Sequence, residues 1–130
     1  MIFAKQFKLK IILFIDKMEK VKNSVRLTGY VGTDPIIVNF ASEKKMARFS
    51  LGVNEYYKNS LGEAVDQTQW FNLIFWNRQV ALVEGIVKKG SLIRIEGRLS
   101  IQSYSDKNGD QRYVTEIVVN ELEVADGYQS

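Results

Sequence analysis

A chain of 130 residues is long enough for one domain with a sizeable hydrophobic core. It contains neither cysteine nor histidine, which excludes disulfides, Cys/His zinc sites, thiol nucleophiles and imidazole general bases; carboxylates, serines and lysines remain, so enzymatic chemistry is disfavoured rather than forbidden. The formal net charge of +3 resides in residues 1–17, because residues 18–130 hold 14 basic and 14 acidic groups, and bulk charge therefore does not argue for a nucleic-acid partner.

In chain order, residues 1–17 (MIFAKQFKLKIILFIDK) place lysines before a short apolar run, Ile11–Ile15. That run is too short for a signal-peptide core or a membrane span, and no small-residue cleavage site follows it. No membrane partner is expected. Met18 followed by Glu19-Lys20-Val21-Lys22 has the look of a second start. We expect residues 1–20 to form an N-terminal extension outside the fold, with an extra strand or an arm packed on a neighbour as the alternative. The folded domain should occupy 21–124, followed by a short C-terminal end, 125–130.

From there period-2 alternation dominates. Asn23–Val31 reads as a first strand, Gly32-Thr33-Asp34-Pro35 as a turn, and Ile36–Phe40 as a continuation after a bend. In Met46–Asn54, Ala47, Phe49, Leu51 and Val53 share one face, and Arg48, Ser50, Gly52 and Asn54 the other. Tyr56–Asp66 reads as a loop with its tip at Asn59-Ser60-Leu61-Gly62. In Thr68–Trp76, Phe71, Leu73 and Phe75 oppose Trp70, Asn72, Ile74 and Trp76. Arg78–Lys89 is the one helix candidate, with Val80, Val83 and Val87 at helical spacing and Gly90 at its end. In Ser91–Tyr104, Ile93, Ile95, Leu99 and Ile101 mark the core face, and Arg94, Glu96, Arg98, Gln102 and Tyr104 the other. Asn108-Gly109 signals a hairpin, and Gln111–Val124 returns antiparallel. Three strands, a helix and two strands fit an all-β fold: a five-stranded Greek-key OB-fold barrel with one helix between strands three and four.

Single-stranded nucleic acid is held without sequence preference by aromatic faces that stack bases and by basic side chains that follow phosphates. Alternation puts both on non-core faces here. Trp70 and Trp76 share one side of a strand, Tyr104 lies on the side of Arg94 and Arg98, and Arg48 lies on the outer face of its strand. Tyr56, Tyr57 and Lys58 stand at the mouth of a loop, and Arg78, Lys88 and Lys89 lie on the helix candidate. Each has a plainer explanation. A lone tryptophan more often caps a core, the Arg94–Glu96–Arg98 run also reads as a solvated ion-pair face, and Lys88-Lys89 suits a helix C-terminus. The argument rests on the set.

The chain also resembles the bacterial single-stranded DNA-binding proteins. The resemblance is carried, in order and at about the family's spacing, by Asn23-Ser24-Val25-Arg26-Leu27-Thr28-Gly29-Tyr30-Val31-Gly32-Thr33-Asp34-Pro35, Phe40-Ala41-Ser42, Thr68-Gln69-Trp70, Val87-Lys88-Lys89-Gly90-Ser91, Ile95-Glu96-Gly97-Arg98-Leu99 and Asp110-Gln111-Arg112-Tyr113-Val114-Thr115-Glu116. It implies an OB fold, binding and protection of single-stranded DNA in replication, recombination and repair, a homotetramer, a cytoplasmic, nucleoid-associated location, no cofactor, no metal and no enzymatic activity. The family's stacking aromatics fall on Tyr57, Trp70, Trp76 and Tyr104. Tyr57 rests on the resemblance alone, with Tyr56 as its rival. Two departures stand out. Phe71 occupies a place where the family often has histidine near a subunit contact. The chain ends at Asp126-Gly127-Tyr128-Gln129-Ser130, without the acidic tip that recruits partner proteins, so such recruitment is not carried over. An RNA-binding or replication-restart OB module, and a carbohydrate- or protein-binding one, remain as alternatives.

Overall fold

The computed structural model of the protein describes residues 2–125; of the expected C-terminal end, all but Ala125 lie outside the described residues. Helix α1 spans Ile2–Val21, and the strands follow as β1 (Val25–Val31), β2 (Ile36–Asn39), β3 (Lys45–Lys58), β4 (Ala64–Trp76), β5 (Leu92–Ser105) and β6 (Gln111–Val124). The sheet runs β1-β5-β6-β4-β3-β2, and a further β1–β3 pairing, Tyr30 with Gly52 and Val31 with Leu51, closes it. All pairings are antiparallel except β4 with β6, which is parallel at Leu73–Ile117 and Ile74–Val118. This is the closed five-stranded OB barrel that the alternation predicts. β2 is the continuation expected after the Gly32–Pro35 bend, laid on the outer edge of β3.

Closure puts the odd-numbered apolar residues of β3 and β4 inside. Ala47, Phe49, Leu51, Leu73 and Phe75 are buried with Val31, Ile93, Ile95, Ile117 and Val119. The rings of Phe49 and Phe75 stack at 5.3 Å. Val80, Val83 and Val87 join this core, as their spacing predicts, but not from an α-helix over Arg78–Lys89. Asn77–Leu82 is a short 3-10 helix, and isolated turns follow, with Ile86 and Val87 both donating to the Val83 carbonyl. Gly85, at φ +74°, ends helical geometry there, since a left-handed residue cannot continue a right-handed helix.

Two further expectations are corrected. Tyr56–Asp66 is not a loop: β3 and β4 pair on to Lys58–Ala64, placing Tyr56 opposite Asp66 and Tyr57 opposite Val65. The true turn is five residues long, with Asn59 Oδ1 accepting from the Leu61 and Glu63 amides. Leu99 and Ile101 keep the parity of Ile93 and Ile95 but are exposed. β1 leaves β5 at Gly97, so beyond that point the β5–β6 hairpin stands out from the barrel, and Leu99 and Ile101 are uncovered among the described residues. In place of a neighbouring strand, the Asn23 side chain accepts from the Leu99 amide at 2.9 Å and donates to its carbonyl at 3.1 Å.

The tip of that hairpin is built by Asp106, whose carboxylate accepts from Arg112 Nε at 2.9 Å and from the Asn108 and Asp110 amides. The Arg112 bond, followed by the backbone bonds, holds this carboxyl below its ordinary value of 3.8. A depressed carboxylate stabilises the native turn above its unfolded pKa, and that contribution disappears as pH falls through the folded value. The amide NMR shifts of Asn108 and Asp110 should therefore titrate together below pH 3.8. A midpoint at or above that value would remove the Asp106–Arg112 bond from solution.

Residues 2–21 form a helix, not the extra strand weighed as an alternative. Phe7, Ile11, Phe14 and Met18 recur at helical spacing, yet all are exposed, and no described α1 side chain belongs to the core cluster. Among the described residues no helix is long and apolar enough to cross a membrane.

Candidate nucleic-acid interface

The outer face of the barrel carries a cleft of about 490 Å³ where β3, β4, β5 and β6 meet the Gly32–Pro35 bend. Arg48 and Ser50 of β3, Asn72 and Ile74 of β4, Tyr104 of β5 and Glu116 of β6 line it, with Thr33 and Ile36 at the bend. The β5–β6 register explains the convergence. Arg98, Ser100, Gln102 and Tyr104 alternate on one face opposite Val118, Glu116, Val114 and Arg112, and this face continues onto the even-numbered residues of β3 and β4. Ile74 has the outward parity but is buried as the cleft floor. Arg48 and Glu116 make no ion pair among the described residues.

The two tryptophans flank this cleft along β4, separated by Asn72 and Ile74, roughly 20 Å apart for six residues of strand. Their surroundings differ. Trp70 is 63% exposed, and its indole reaches across β3 over Gly52 to Gly32. Trp76 is half-buried; Phe40 stacks on it at 6.3 Å and Lys44 sits 4.8 Å above its ring. The plainer reading of a tryptophan as packing therefore suits Trp76 better than Trp70. Alternation along the chain does not place Phe40 or Lys44 beside Trp76, because only the β2–β3 turn brings them there.

The unbroken β3–β4 register puts Tyr56 and Lys58 on the Trp70 face and Tyr57 on the opposite face of the hairpin. Tyr56 is the more exposed of the two, 74% against 49%. Tyr104 is 53% exposed, at the cleft. The basic residues divide into three groups. Arg48 lines the cleft, and Arg98 shares the face of Tyr104. Lys88 and Lys89 lie in a turn pinned to the Gly32–Pro35 bend, where Asp34 accepts from the Lys89 amide at 2.9 Å and Gly90 donates to the Val31 carbonyl. Arg94 and Arg78 lie elsewhere. Arg94 is 3.4 Å from Glu123, over the β1–β5–β6 surface. Arg78 sits beyond Trp76, beside Asn120.

Exposed aromatic rings interleaved with cations that make no ion pair among the described residues are the arrangement by which single-strand binders stack bases and follow phosphates. Comparisons with known proteins decide the family: the model of the single-strand binding protein family matches residues 22–125. The chain belongs to that family. It is 34% identical over 108 residues to single-stranded DNA-binding protein 1 of Chlorobaculum tepidum, covering 82% of this chain and 67% of the relative. It is 36% identical over 104 residues to the single-stranded DNA-binding protein of Bacteroides thetaiotaomicron, covering 78% and 65%. It thus spans about two thirds of the length of these relatives. Among solved structures, the Plasmodium falciparum SSB in complex with ssDNA superimposes with a TM-score of 0.74 at 27% identity, over 80% of this chain and 95% of that one. A deletion mutant of the Thermus aquaticus protein, at 19% identity and a TM-score of 0.72 over 82% of this chain and 51% of that one, shares the fold. Members of the single-strand binding family bind DNA and are not enzymes.

Proposed function

We propose that this chain binds single-stranded DNA without sequence preference and protects it during replication, recombination and repair. The observation that carries the reading is the exposed Trp70 indole on the same barrel face as the cleft holding Arg48 and Tyr104. Trp70, Tyr104 and the Tyr56–Tyr57 pair stack bases. Arg48, Arg98, Lys58, Lys88 and Lys89 follow the phosphates, while Trp76, Arg78 and Arg94 contribute at the margins. Glu116 bears on the path of the strand: a carboxylate in the cleft repels phosphate, so bases rather than the sugar-phosphate chain turn inward there. Residues 21–124 form the DNA-binding domain, and residues 1–20 lie outside it. The protein assembles as a homotetramer in the cytoplasm, associated with the nucleoid.

The test is a titration of intrinsic tryptophan fluorescence with a dT oligomer of several tens of nucleotides, at two salt concentrations, on protein sized by light scattering. The expected result is strong quenching that saturates at a fixed number of nucleotides per subunit and weakens with salt. No quenching and no binding would overturn the reading. Competition between dT and rU oligomers separates DNA from RNA preference. Each phosphate neutralised on a single strand steepens the log–log salt slope by about 0.7. Deleting residues 1–20 should leave both slope and affinity unchanged, since no described α1 side chain belongs to the core cluster or lines the cleft. A shallower slope in the deletion would show that the α1 lysines touch phosphate.

A further inference from the structure

Two glycines lie against the outer edge of the Trp70 indole. Gly52 is its cross-strand partner on β3, and Gly32 follows the last residue of β1. A β-carbon on Gly52 would lie 2.9 Å from Cζ3 and 3.0 Å from Cη2 of the indole; one on Gly32 would overlap Cζ3 and lie 3.0 Å from Cη2. Both glycines thus meet the outer edge of the same six-membered ring. Neither has a positive φ, so neither backbone position requires glycine for its conformation. At Gly52 the other near contact is Thr68 Cγ2 at 3.3 Å, a distance that small adjustments absorb. At Gly32 a β-carbon would also crowd Ser50 Oγ, at 2.8 Å. The seat is held in place: Gly32 donates to the Ser50 carbonyl at 2.9 Å, and Ser50 donates its amide to Thr33 Oγ1 at 3.2 Å.

We propose that Gly52 and Gly32 are positioning residues that let the Trp70 indole lie across β3 in one orientation, with its outer face presented to a base. The proposal rests on the reading of Trp70 as a stacking platform. A ring braced against backbone loses little rotational freedom when a base settles on it, which favours binding without adding a contact. A methyl group at either glycine lifts the ring edge. The side chain gives way rather than the sheet, so the effect falls on the platform and not on the fold.

The discriminating experiment is a double-mutant cycle on the full chain, with affinity for a dT oligomer and urea unfolding measured in parallel. Gly52→Ala should bind about tenfold more weakly, within the range of one lost base stack. It should be at least as stable as the parent, because alanine is favoured over glycine in a strand. The two effects then have opposite signs, which a merely structural role does not produce. In a Trp70→Phe background, whose shorter ring lacks the Cζ3–Cη2 edge, Gly52→Ala should change affinity less than about twofold, and Gly32→Ala should behave alike. Near-ultraviolet circular dichroism should show the tryptophan band altered in Gly52→Ala and not in Lys58→Ala. Parental affinity in Gly52→Ala, or an equal loss in both backgrounds, would overturn the seat. Parental affinity in Trp70→Ala would overturn the platform reading and the seat with it, and that arm identifies which failed first.

Discussion

Replacing Trp70 with alanine is expected to weaken binding of a dT oligomer by roughly 5- to 150-fold, the range set by losing about 1–3 kcal/mol of base stacking at one site. The size follows from geometry. The indole is the larger of the two kinds of ring on the binding face, it is mostly exposed, and it lies beside the cleft that holds Arg48 and Tyr104. Trp76→Ala should cost less in binding and more in stability, because that ring already stacks on Phe40 and lies under Lys44. Anisotropy of a labelled oligomer at one fixed salt concentration measures both. A larger binding loss for Trp76→Ala than for Trp70→Ala would reverse the assignment of the principal platform. The same variants partition the fluorescence signal: most of the DNA-induced quenching should vanish with Trp70.

Truncating Phe75 to alanine should destabilise the barrel by about 3–5 kcal/mol, a large share of the roughly 5–15 kcal/mol that holds a domain of this size together. Phe75 is fully buried, stacks on Phe49 across the β3–β4 pair, and sits where both strands turn their odd-numbered residues inward. Removing the ring leaves a cavity that surrounding strands cannot close without breaking the register that shapes the cleft. Urea unfolding followed by far-ultraviolet circular dichroism reads the loss directly. A shift below about 1 kcal/mol, the level of an ordinary surface change, would mean that the barrel interior is not organised around this ring. Leu99→Ala is the control. Although Leu99 has the parity of a core residue, it is exposed on the projecting hairpin, and its truncation should cost far less.

The contrast between Phe75 and Leu99 shows where alternation stops being informative. Parity along β3 and β4 correctly separated the faces of Ala47–Val53 and Phe71–Trp76, because the ladder between these strands runs without a bulge. The same parity along β5 assigned Leu99 and Ile101 to the core. Alternation says which side of a strand a residue occupies, but not whether another layer lies against that side. The helix over Arg78–Lys89 failed for a related reason. Val80, Val83 and Val87 were correctly recognised as apolar positions facing the core, but a 3-10 turn and isolated turns present three valines at that spacing as well as an α-helix does, and Gly85 selects them.

Several parts of the site carry signals in the chain. Asn72 and Ile74 share the face of the two tryptophans and turn out to line the cleft between them. The spacing of Phe7, Ile11, Phe14 and Met18 anticipates α1. Others had none. Thr33, Ile36 and Glu116 come from distant segments and meet only when the barrel closes, and the pairing of Asp34 with the Lys89 amide spans 55 residues.

The amino-acid sequence alone was enough for the barrel, the order of its strands, the buried faces of β3 and β4, the Asn108-Gly109 hairpin and the family, since each rests on local periodicity, turn chemistry or ordered motifs. Tertiary structure decided which of two chemically similar tryptophans lies open and which is stacked beneath Phe40 and Lys44. It put Tyr56 rather than Tyr57 on the Trp70 face, engaged Arg94 with Glu123, and set Gly52 and Gly32 under the indole. Exposure, pairing and close approach depend on which segments the barrel brings side by side, and residue types at fixed spacing do not record that.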